Sequence, residues 1–229
     1  MPQPANTSVE QHPELTRRHL SRLRSYFQHR RPARGERDSI DLDLLRVGAL
    51  NYIPLLPGHE DGLAVTSYGA NLLANATAQA RAERAPHHEL GARLGAWLRE
   101  QGRLVWENIE FRVDTDNGGR LARPDVFSLL ATHNEKRIAP TVHEVKVSRA
   151  DFLSDLRHPV KLAAYRAIAS HIYFACPEGL IRREELPAGY GLLYERADGT
   201  WSTVKRPRKS AVQLSTWHWM NLLLKHGRS

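Results

Sequence analysis

The chain is poor in the residues that build covalent or sulfur-based scaffolds. It has one cysteine, Cys176, in 229 residues. A single thiol excludes an intramolecular disulfide framework and any multi-cysteine zinc site, and it suits a reducing compartment. Nowhere is there a run of about 18 apolar residues, the length that a membrane-crossing helix needs. The start, Met1-Pro2-Gln3-Pro4, lacks the basic-then-apolar layout of a secretory signal. No segment repeats. From Thr200 to Ser229 there is not one acidic residue. These absences lead us to expect a soluble, cytoplasmic protein with no membrane segment.

What is abundant is positive charge. Lys and Arg number 33 against 25 Asp and Glu, a formal net charge of +8. Clustered cations gain affinity for phosphates by releasing counterions, so nucleic acid is the expected partner. With 41% hydrophobic and 25% charged residues, the chain has enough apolar material for a core. Its length fits one ordinary domain plus a small one.

Residues 1–12 are polar and aperiodic and read as a disordered tail. From Glu14 to His29, Leu15, Leu20, Leu23 and Phe27 recur at helical spacing among arginines, giving a basic amphipathic helix. After the breaker Arg31-Pro32-Ala33-Arg34-Gly35, a second helical pattern runs from Ile40 to Leu50, with Gly48 inside it, and ends near Pro54 and Pro57-Gly58. Gly62 to Val65 is a short strand feeding a helix initiated by Thr66. The Ala-rich helix from Asn71 to Arg84 is expected to stop at Pro86, and a new helix from His88 to Gln101 carries the stripe Leu90, Leu94, Trp97 and Leu98. The period then changes. Leu104 to Val113 reads as one strand, Asp116 to Gly119 as a turn, and Val126–Leu130 and Val142–Val147 as two more strands. Helical sequence, broken or bent at Pro159, spans Asp151 to Ala169, followed by the apolar strand His171 to Ala175. A hairpin turns at Asp198-Gly199, and a basic linker leads to a helix with Trp217, Trp219 and Leu222 to Leu224. The expected divisions are therefore a tail 1–12, a small domain 13–84, an α/β core 85–205, and a linker with a C-terminal helix at 206–229.

One constellation carries chemistry. Asp125 stands at the head of one strand, and Glu144 and Lys146 are two apart on the next, so their side chains share a sheet face while Val145 points to the other layer. Two carboxylates and the Val145 carbonyl are hard oxygen donors suited to Mg²⁺ or Mn²⁺. Lys146 is placed to activate or orient an attacking water in phosphodiester hydrolysis.

Arg123-Pro124-Asp125 followed by Glu144-Val145-Lys146 resembles the signature of the PD-(D/E)XK nuclease superfamily, and the order helix, three strands, helix, strand resembles its restriction-endonuclease-like core. More narrowly, the run His143 to Asp155, with Tyr173-Phe174-Ala175, resembles the bacterial MmcB-type DNA repair proteins. Lys161 and Tyr165 match that family's helical Lys and Tyr, four apart and on one helix face. The chain departs from the family at Arg157-His158-Pro159, where a Lys-Trp pair is usual, and in its N-terminal third. There, Gly62 to Leu73 resembles the wing strand and following helix of a winged helix-turn-helix. What the resemblance implies is an α/β nuclease core with a small winged-helix-like domain, acting on DNA with Mg²⁺ or Mn²⁺ and no small-molecule cofactor. Asp125, Glu144 and Lys146 would be catalytic, with Glu110, on the neighbouring strand, favoured over Glu89 and Glu107 as the further acid. Arg123, Ser148, Lys161, Tyr165, Lys205, Arg206, Arg208 and Lys209 are the candidate nucleic-acid contacts. The competing expectation is a non-catalytic nucleic-acid binder or transcription regulator on the same scaffold.

Plainer readings accompany several of these residues. Ser148 or Asp151 fits an ordinary helix cap. His143, His158 and His171 match no compact zinc spacing. Trp217 and Trp219 fit a core better than a base-stacking platform.

Overall fold

The computed structural model describes residues 13–29, 33–54, 61–115, 118–157 and 159–226. The tail 1–12, Arg31 and Pro32 of the breaker, Pro57-Gly58, Asp116 and Asn117 of the expected turn, and His158 lie outside them. The chain divides into two compact units, Met1–Glu83 and Arg84–Ser229. No helix among the described residues is long and apolar enough to cross a membrane.

The first unit contains α1 (Arg17–Gln28), α2 (Ser39–Arg46), an antiparallel hairpin of β1 (Leu50–Ile53) and β2 (Gly62–Val65), and the start of α3 (Ser67–Glu100). Its core is Leu23, Leu44, Ala49, Leu50, Leu63 and Leu73. The helical pattern expected to reach Leu50 stops earlier, because Gly48 takes φ +74°, a left-handed conformation that ends the helix and frees Leu50 for a strand. The buried Asp41 carboxylate organises the preceding turn. It accepts hydrogen bonds from the Arg22 guanidinium (3.1 Å), the Tyr26 hydroxyl (2.9 Å) and the backbone N–H groups of Glu36 (2.9 Å) and Arg37 (2.7 Å). Thr66 caps α3, its hydroxyl oxygen accepting from the Gly69 N–H at 3.0 Å.

Pro86 lies inside α3 rather than ending it. A mid-helix proline leaves the carbonyl four residues back without a helical donor. That carbonyl belongs to Ala82, which is exposed, so water can serve it.

The second unit is α/β. A six-stranded mixed sheet has the order β10 (Trp201–Lys205), β9 (Gly191–Glu195), β8 (His171–Pro177), β7 (Thr141–Val145), β6 (Val126–Leu130), β3 (Arg103–Glu107). Strands β7, β8 and β9 are parallel; β3, β6 and β10 run antiparallel to their neighbours. The expected strand from Leu104 to Val113 is in fact two. Asn108 adopts φ +52° and breaks it, and β4 (Phe111–Thr115) pairs with β5 (Gly118–Ala122) in a separate hairpin. Both faces of the main sheet are covered. Leu90, Leu94 and Leu98 of α3 bury Val105, Val126, Val145, Ala175 and Leu193. On the other face Phe127, Val142, Phe174 and Leu192 meet α4 (Arg149–Leu156) and α5 (Pro159–Ile168) through Phe152, Tyr165 and Ile168. The C-terminal α6 (Thr216–His226) contributes Leu222 to that core, and Trp219 packs at its edge, whereas Trp217 is half exposed.

Candidate active site

The alternation of β7 decides where its side chains go. Val145 enters the α3 layer, while Glu144 and, one step past the strand, Lys146 turn to the α4–α5 side. Asp125, just ahead of β6, is tied to β7 because its Oδ2 accepts the Val145 N–H at 2.8 Å. The three expected residues thus come from the ends of adjoining strands, and Asp125 is anchored on the β7 backbone.

Glu144 and Lys146 are each only 2% exposed. Around them lies an ion network that sequence spacing did not reveal. The Lys146 Nζ is 3.3 Å from Glu144 Oε1, 3.3 Å from Asp151 and 2.8 Å from Asp155. The Lys161 Nζ bonds the same Glu144 Oε1 and lies 2.9 Å from Asp155. Two ammoniums therefore share two carboxylates. Burial, and then the charge of Asp125, push the Glu144 carboxyl up to about 7 against the pull of both lysines. Burial works to lower Lys146, yet Glu144 and Asp155 outweigh it and hold the ammonium above its ordinary range. Asp155 is held low, since the lysines overcome the opposing effect of burial.

His87, on α3, is the residue that the sequence did not single out. Its Nε2 lies 3.3 Å from Asp125 Oδ2, and that hydrogen bond raises the imidazole above its usual range despite burial. Reading Pro86 as a helix stop had placed His87 outside any element. Asp155, the last residue of the run that begins at His143, contacts both lysines.

The other candidates separate into three places. Tyr165 and Arg123 adjoin the site: the Tyr165 hydroxyl donates to the Arg123 carbonyl at 3.0 Å, and the Arg123 side chain is exposed. Ser148 is a helix cap, its Oγ accepting the Asp151 N–H at 3.2 Å. Glu110 is not on a strand with Asp125. It follows the Asn108 break, is exposed, and faces the Arg123 guanidinium at 3.6 Å. Lys205, Arg206, Arg208 and Lys209 are elsewhere again. Strand β10 runs against β9, so Lys205 sits beside Leu192 at the starting end of the parallel strands, whereas Lys146 lies past the finishing end of β7.

Whether these residues suit a divalent cation can be judged from their donors. Asp125 and Glu144 are hard oxygen ligands, and among the described residues the buried Glu144 Oε2 has no hydrogen-bond partner. An oxygen pair that opposes its own ionisation gains from a cation, so the donor set fits. Among the described residues no group of three or more His, Cys, Asp or Glu side chains is arranged to hold a metal ion; side-chain ligation here would come from two carboxylates.

No protein-family model matches the chain, and no curated protein matches it. One solved structure, a protein of unknown function from Silicibacter pomeroyi, is similar at 25% identity over 60% of this chain and 81% of that one, with a TM-score of 0.41.

Proposed function

We propose that the chain is a divalent-metal-dependent phosphodiesterase acting on DNA, built on a PD-(D/E)XK-like core with an N-terminal winged-helix-like unit. The observation that carries this reading is the convergence of Asp125, Glu144 and Lys146 from adjoining strands, with Asp125 bonded to the Val145 N–H at 2.8 Å. Their resemblance to the PD-(D/E)XK signature, and that of the run from His143 to Asp155 to MmcB-type repair proteins, supports it.

Asp125, Glu144 and the Val145 carbonyl would hold Mg²⁺ or Mn²⁺, which supplies Lewis-acid charge stabilisation and lowers the pKa of bound water. The protein's own groups have separable roles. Lys146, buried among three acids, pulls against the burial that raises Glu144. Lys161, with its side chain 37% exposed, is the cation of the pair that reaches solvent and can meet a phosphate oxygen. His87 orients Asp125. Asp155 holds both lysines in register, and Arg123 offers an exposed guanidinium for the flanking backbone.

The test is cleavage of labelled single-stranded, double-stranded and branched DNA with Mg²⁺, Mn²⁺ or EDTA. Cutting that needs metal and falls at least about a thousandfold in Asp125→Ala and Lys146→Ala is the expected result. Tight, salt-sensitive binding without cutting in any metal would overturn the enzyme reading in favour of a nucleic-acid-binding scaffold.

A further inference from the structure

At the starting end of β8 and β9, about 15 Å along the strands from Glu144 and Lys146, lies a cavity of about 510 Å³. Its walls include Arg166 from the end of α5, Ser170, the buried Tyr190, and the segment carrying Arg208, Lys209 and Ser210. Among the described residues no acidic side chain lines it. Among the described residues Arg166, Arg208 and Lys209 form no ion pair, unlike Arg22, Arg93 and Arg149, which do.

The cavity is built rather than incidental. The backbone that carries its cations is fixed on both sides: the Arg208 N–H donates to the Gly189 carbonyl at 3.0 Å, and the Ser210 N–H donates to the Ser170 carbonyl at 2.9 Å. Lys209 is held between these two anchors. The segment passes close over Gly191, where an added Cβ would stand 2.8 Å from Pro207 Cδ. The Arg166 guanidinium rests 5.3 Å from the Tyr190 ring centre, which fixes its position. Among the described residues the buried Tyr190 hydroxyl has no hydrogen-bond partner of good geometry, and Arg166 is the charge that acts on it.

Three cations around one concavity repel each other. The carboxyl end of α5 contributes about half a negative charge at that edge, which leaves most of the positive charge uncompensated. The neighbouring His171 senses this field: burial, then the Lys209 charge, depress its imidazole. We propose that this cavity binds a phosphate-class anion, held between the Arg166 and Arg208 guanidiniums and the Lys209 ammonium. The anion is either a backbone phosphate of a nucleic acid that extends past the carboxylates or a free phosphate.

The experiment is calorimetric titration of the full chain with inorganic phosphate at constant ionic strength, with chloride as the reference salt. Arg208→Gln/Lys209→Gln removes two exposed side chains that lie outside helices and strands, so the fold is retained; Arg166→Gln is the second variant. Phosphate binding to the wild type, weakened about ten- to a hundredfold for each guanidinium removed, is expected. Affinity equal across the three proteins, or no preference over chloride, overturns the proposal. A DNA duplex that displaces phosphate, with a salt slope of DNA binding flatter by about two in the double variant, identifies a backbone phosphate as the natural occupant. Undisturbed phosphate binding in the presence of DNA identifies a free anion. Neither readout involves strand cleavage, so the outcome is independent of the nuclease reading.

Discussion

Asp155→Ala isolates the network around Glu144. The carboxylate it removes is the nearest acid to Lys146, at 2.8 Å, and also lies 2.9 Å from Lys161. Breaking a buried pair by deleting one partner costs about 3–5 kcal/mol when the remaining charge is left alone. Here Lys146 keeps Glu144 and Asp151, both at 3.3 Å, and Lys161 is partly hydrated, so the lower part of that range applies. The expected loss is about 3 kcal/mol, with roughly half of it in Asp155→Asn, whose amide oxygen can still accept from one lysine. All five tryptophans, Trp97, Trp106, Trp201, Trp217 and Trp219, belong to the second unit, so urea unfolding followed by tryptophan fluorescence reads that unit alone. Because Lys146 is buried, most of the loss should persist in 1 M salt, where the screening length is about 3 Å. A change under about 0.5 kcal/mol, or a gain, would refute the reasoning. It would mean that repulsion among the clustered carboxylates balances their attraction for the lysines.

Two further outcomes follow from the packing and the charges. Glu185 bonds Arg149 and the Arg182 N–H, which hold its carboxyl down to about 2. A depressed acid stabilises the fold above its unfolded pKa of about 4.3 and loses that contribution as pH falls towards 2. The stability gap between wild type and Glu185→Gln should therefore be full above pH 5 and close on acidification; a gap that widens in acid would contradict the assignment. Gly69→Ala puts a Cβ 2.2 Å from the Ala49 carbonyl oxygen, so the first unit should lose at least about 2 kcal/mol in hydrogen-exchange protection while the tryptophan signal is unchanged.

What the sequence made legible was local. The Ser148 cap, the helix break at Pro159 and the hairpin at Asp198-Gly199 each depend on residues close together in the chain, and each is present. The failures share a cause too. Ile109, Phe111 and Val113 continue the alternation of Val105, so nothing in the pattern betrays the left-handed Asn108 that splits the strand. That split also carried Glu110 away from its expected place. Pro86 signals a stop by its usual effect, whereas the exposure of Ala82 lets water serve the freed carbonyl and the helix continue. The contacts of Asp125 with His87 and of Lys146 with Asp155 are made by tertiary packing, and spacing alone does not encode them.

The register break in β10 has a consequence for assembly. As an edge strand, β10 presents unpaired backbone groups that another chain could template upon. Between Thr203 and Lys205 the pairing with β9 slips by one residue, which bends the strand and misaligns its free donors and acceptors. Lys205 and Arg206 follow directly, so a strand adding to this edge would have to cross a broken ladder and desolvate two cations at its end. The broken ladder and the two cations at its end both work against extension of the sheet at this edge.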